Sequence, residues 1–73
     1  MANWEAGRCL LRKLRAAKGI SQERLSELSN VARSTISALE NDKYVINDLT
    51  VARSLASALD CRIDDLYQWT RTK

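Results

Sequence analysis

The chain has no histidine, and its two cysteines, Cys9 and Cys61, lie far apart. Zinc sites draw cysteine and histidine ligands from close, paired spacings, so no metal centre is expected. Neither thiol has an adjacent base, so no nucleophilic constellation is expected either. Hydrogen bonding and charge are the chemistry left to the sequence, pointing away from an enzyme and away from any cofactor. Arg33, Ser34, Ser37 and Asn41 fall within one stretch of nine residues. Side chains of these types donate to and accept from base edges and phosphate oxygens. The charge agrees: 12 Lys and Arg oppose 9 Asp and Glu, a net of +3. All of that excess sits in residues 1–41, while residues 42–73 are balanced and cluster acids at Asp60, Asp64 and Asp65. One face is therefore suited to phosphates and another to a different partner.

The elements that must hold these side chains can be read from caps and periodicity. At 73 residues the chain is expected to be a single domain over 1–73, with 68–73 a short C-terminal tail. Proline is absent and apolar residues recur at threes and fours, so an all-α domain of five short helices is expected. The first helix is predicted from the cap Asn3 to Lys18, ended by Gly19, with Leu10, Leu11, Leu14 and Ala17 inward. Ser21 caps the second, with Ile20 and Leu25 as a hydrophobic staple and Leu25 and Leu28 inward. Asn30 accepts the left-handed turn. The third helix runs from about Arg33 to Glu40 behind a poor cap, Ala32. It buries Ile36 and Leu39 and exposes Arg33, Ser34, Ser37, Ala38 and Asn41. After a loop over 41–47, Asp48 caps a fourth helix with Leu49, Ala52, Leu55, Ala56 and Leu59 inward. Cys61 and Leu66 staple a fifth that buries Ile63 and Leu66, and the ending YQWTRTK shows no period.

Two short helices joined by a tight turn, the second exposing arginine, serines and asparagine, form a helix-turn-helix suited to the major groove. A small helical domain built for protein contacts would show the same periodicity. The residue string goes further. GISQERLSELSNVARSTISALEN at 19–41, preceded by LLRKLRAAKG at 10–19 and followed by LTVARSLASALDCRIDDLY at 49–67, resembles the lambda-type repressors, also called the Xre family. That resemblance implies a compact five-helix lambda-repressor-like fold whose helices 2 and 3 form the helix-turn-helix. It implies phosphate contacts from Gln22, with Ser21 beside it, and from Asn41 and Lys43. It implies that Arg33, Ser34 and Ser37, with Ala38 on the same face, meet base edges. It also implies a buried salt bridge between Arg15 and Glu40. Asn30, Asp42 and Asp60 stand where the family favours glycine, and Ala32 where it favours serine or threonine.

The function expected is a sequence-specific, double-stranded DNA-binding transcriptional regulator, a repressor acting as a homodimer on a palindromic operator. The alternative is an antitoxin or accessory DNA-binding subunit that also binds a partner protein. Tyr44, Val45, Ile46, Tyr67 and Trp69 are the expected dimer interface, because together they hold more apolar surface than so small a domain needs to expose. The competing place for Trp69 is folded back near Trp4. No small-molecule ligand and no membrane span are expected. No leader is read in MANWEAGR, so the expected setting is the cytoplasm with reduced thiols.

Overall fold

A computed structural model describes residues 3–72. In chain order the elements are β1 (Asn3–Cys9), α1 (Leu11–Lys18), α2 (Gln22–Ser29), α3 (Arg33–Glu40), α4 (Leu49–Ala58), a 3₁₀ turn (Ile63–Leu66) and β2 (Tyr67–Thr72). The expectation of a five-helix, all-α domain is therefore corrected at both ends. The segment read as the start of helix 1 is a strand, the fifth helix is a single 3₁₀ turn, and the supposed tail is a second strand.

The two strands pair antiparallel, with Asn3 opposite Thr72, Trp4 opposite Arg71, Glu5 opposite Thr70, Ala6 opposite Trp69 and Cys9 opposite Tyr67. A bulge between Ala6 and Cys9 carries Gly7 against β2, where an added Cβ would lie 3.2 Å from the Gln68 carbonyl oxygen. A helix begun at Asn3 would hold that glycine in its interior, at about 1 kcal/mol. As a strand, the same segment places Trp4 and Ala6 on one face, beside Trp69. Only the base of the ribbon, Cys9 and Tyr67, is buried. The molecule is 39 Å long and 20 Å across.

Backbone N–H donors at the base of β1 fasten the ribbon to the rest of the fold. Leu10 N–H donates to the Leu66 carbonyl at 2.8 Å, and Cys9 N–H to Asp42 Oδ1 at 2.9 Å. Gly19, Asn30, Asp42 and Asp60 all adopt positive φ, so three non-glycine residues hold left-handed positions. Ser21 accepts from Arg24 N–H at 3.0 Å, and Asp48 from Thr50 N–H at 2.8 Å, while Ala32 gives α3 no side-chain cap. The core is Leu11, Leu25, Ile36, Leu39, Leu55 and Leu66, closed by Val31, Ala52, Ala56 and Leu59.

Three residues expected inside lie outside. Ala17 and Leu28 are exposed, and Leu49 is 76% exposed. In the two-turn α2 the inward line runs through Leu25 and Ser29, not Leu28. Ser29 can be buried because its Oγ donates to the Leu25 carbonyl at 2.7 Å and accepts from Val31 N–H at 3.2 Å. Leu49 starts α4 a full turn before its buried face. Among the described residues no helix is long and apolar enough to cross a membrane.

Candidate nucleic-acid interface

The helix-turn-helix is locked by one carboxylate. Glu40, the last residue of α3, has a side chain with no exposed surface. Arg15 of α1 grips it with Nε to Oε2 at 2.9 Å and Nη2 to Oε1 at 3.1 Å. Gln22, the first residue of α2, donates from Nε2 to Oε1 at 3.0 Å, and Arg12 reaches the same oxygen at 3.5 Å. Burial alone would push the Glu40 carboxyl up. The hydrogen bonds from Arg15, Gln22 and Arg12 outweigh it, and the pKa lies below the usual carboxylate value. The Glu40 hydrogen bond likewise raises the Arg15 guanidinium above its ordinary value. This network ties the start of α2 to the end of α3, fixing the angle at which α3 is presented.

On the outer side of α3, Arg33 and Ser34 are exposed, Ser37 and Ala38 half-buried. Asn41 closes the helix: its Nδ2 donates to the Ser37 carbonyl at 2.9 Å, and its Oδ1 accepts from Arg12 Nη2 at 3.3 Å. Ser21 and Lys43 are exposed, Ser21 spending its hydroxyl oxygen on the α2 cap, and Gln22 is half-buried with its amide on Glu40. Among the described residues Arg8, Lys13, Arg33, Lys43, Arg53 and Arg71 have no carboxylate within 4 Å. Their charge is open to phosphates. Among the described residues no group of three or more His, Cys, Asp and Glu is placed to hold a metal ion.

The five residues expected at a dimer interface differ in exposure. Tyr44 and Val45 are about half exposed on the loop after α3, and Ile46 is half-buried. Tyr67 is a core residue whose Oη accepts from Ile46 N–H at 3.0 Å. Its burial raises the phenol's pKa. Trp69 stands on the ribbon, and its Nε1 donates to the Asp64 carbonyl at 2.8 Å. Sequence reasoning missed Leu49, which joins Tyr44 and Val45 among the exposed large apolar residues, and gave Arg12 no role. The i, i+3, i+4 pattern marks Leu49 as apolar without saying whether anything covers it.

The sequence profile of the helix-turn-helix family matches residues 11–66. The chain is 32% identical over 69 residues to the SPbeta prophage-derived HTH-type transcriptional regulator YopS of Bacillus subtilis, covering 94% of this chain and 93% of that one. It is 38% identical over 60 residues to an HTH-type transcriptional regulator of Archaeoglobus fulgidus, covering 82% and 84%. Among solved structures it resembles the restriction-modification controller protein C.AhdI of Aeromonas hydrophila, with 41% identity and a TM-score of 0.70 over 77% of this chain and 83% of that one. The chain belongs to the helix-turn-helix family of DNA-binding transcriptional regulators.

Proposed function

We propose that the protein is a cytoplasmic repressor that binds a palindromic operator as a homodimer, with α3 of each copy in the major groove. The carrying observation is the locked presentation of α3: Glu40 joins three elements, leaving Arg33 and Ser34 outward with Ser37 beside them. In this reading Arg33, Ser34, Ser37 and Ala38 face base edges, and Ser21, Gln22, Asn41 and Lys43 follow the backbone. A single α3 spans only a few base pairs, so useful selectivity calls for two half-sites about 34 Å apart. Tyr44, Val45 and Leu49 are the surface through which two copies meet, being large apolar residues left exposed from the loop after α3 to the start of α4. The reading requires no cofactor and no small-molecule ligand.

Selection of bound sequences from a random duplex library tests it. The expected result is a motif with two-fold symmetry and half-sites one helical turn apart. An asymmetric motif, or no enrichment at low salt, refutes the operator reading.

A further inference from the structure

Strands β1 and β2 lie outside the residues that match the family, and the operator reading gives the free part of the ribbon no task. Alternation along the strands and their pairing put Trp4, Ala6, Trp69 and Arg71 on one face, with Arg71 opposite Trp4 and Trp69 opposite Ala6. Trp4 and Trp69 are therefore diagonal neighbours, about 7–8 Å apart at the backbone. Ala6, beside both, has too small a side chain to fill the gap. What remains is an open notch of about 360 Å³ lined by Trp4, Trp69 and Asp64. One planar ring in contact with both indoles needs about 7 Å between them. Trp4 is 61% and Trp69 44% exposed, and the Trp69 wall is held by its Nε1 bond to the Asp64 carbonyl and by Tyr67, 6.2 Å away between ring centres. The Asp64 carboxylate is exposed, its contact with Arg62 loose at 3.8 Å. Arg71 is exposed and, among the described residues, has no carboxylate within 4 Å. Aromatic walls, an acceptor at the turn end and a free cation toward the tip complement an unpaired nucleotide, which brings a base to stack, donors on its edge and a phosphate beside it.

We propose that the notch takes an unpaired guanine of single-stranded DNA, stacked between Trp4 and Trp69, with a flanking phosphate on Arg71. Guanine alone among the bases presents two adjacent N–H donors on its Watson–Crick edge, and the Asp64 carboxylate can accept both at once. In a duplex that edge is already paired, so the notch selects a single strand and is distinct from the surface of α3. A lysine or arginine of a partner protein in the same place would be opposed by Arg71. A stacked base strengthens binding roughly tenfold to a hundredfold, too little to hold a free mononucleotide at low concentration, whereas a strand adds phosphates on either side. The contact does not rest on the operator reading.

Trp4 and Trp69 are the only tryptophans of the chain, so intrinsic fluorescence reports on the notch. The full chain is titrated at low salt with a short thymine strand carrying one central guanine, the same strand without guanine, the guanine strand annealed to its complement, and guanosine monophosphate. The guanine strand is expected to quench the tryptophans at concentrations at least about tenfold lower than each of the other three. In proteins whose thermal melts match the parent's, Trp4→Ala is expected to weaken its binding about tenfold or more, read from Trp69. Asp64→Asn is expected to erase the preference for guanine over thymine, and Arg71→Ala to lower the salt slope by about 0.7. No quenching by the guanine strand, equal quenching by the duplex or the mononucleotide, or a guanine preference that survives Asp64→Asn overturns the proposal. Low-salt binding of a long duplex, which Trp4→Ala and Asp64→Asn should leave unchanged, keeps the two readings apart. Duplex binding without strand quenching refutes only the notch, and strand quenching without duplex binding refutes only the operator reading.

Discussion

A carboxylate with no exposed surface persists at Glu40 because Arg15, Gln22 and Arg12 all donate to it. Removing one close partner leaves a buried charge uncompensated, so Arg15→Ala or Glu40→Gln is expected to destabilise the fold by about 3–5 kcal/mol in chemical denaturation. Arg12 is 61% exposed and its contact is 3.5 Å, so Arg12→Ala is expected to cost less than about 1 kcal/mol. The pH dependence has a definite sign. The folded pKa of Glu40 is depressed below 4.5, so its contribution is present above that value and fades as pH falls through the folded pKa. Melting curves taken downward from pH 5 should show the parent losing this component while Glu40→Gln does not. Around this fixed centre the operator reading divides the outward side chains by task. Arg33→Ala should weaken the preferred duplex by about 1–3 kcal/mol while sparing others, whereas Lys43→Ala should weaken all duplexes alike. Fluorescence titration of matched and scrambled duplexes separates the two patterns.

Between the end of α1 and the start of α4 the helix ends follow local instructions, which is why they were readable. Gly19 and Asn30 take the left-handed caps, and Ser21 and Asp48 supply the oxygens that start α2 and α4. The weak cap at Ala32 was readable too, and α3 has no side-chain cap bond. Ala32→Ser is therefore expected to stabilise the protein by about 1 kcal/mol, visible as a higher melting temperature. The ribbon was not readable in the same way. Its pairing joins opposite ends of the chain, and the Trp4–Ala6 and Tyr67–Trp69 alternations are each too short to outweigh a good cap at Asn3. The outward placement of Arg33 and Ser34 follows from helical phase once Ile36 and Leu39 face inward. Tyr67 escaped because its burial depends on the long-range bond with Ile46, which no local pattern records.

For the whole molecule, the operator reading divides the work of charge and apolar surface between DNA and a second copy. Among the described residues, cations without carboxylate partners lie at α3 and the loop after it, at Arg33 and Lys43, and near the start of α1, at Arg8 and Lys13. Binding of a dimer should release counterions from both half-sites, so log affinity is expected to fall with log salt at a slope of about −4 to −8. Leu49 provides the sharpest test of the dimer, because a side chain already 76% exposed contributes little to the fold of its own chain. Leu49→Glu should keep the parent's melting temperature within a degree or two, yet place a charge in the middle of the contact with Tyr44 and Val45. Sedimentation on a palindromic duplex should then show one copy bound where the parent binds two, with the salt slope about halved. A variant that still loads two copies with the full slope would remove the loop surface from the dimer.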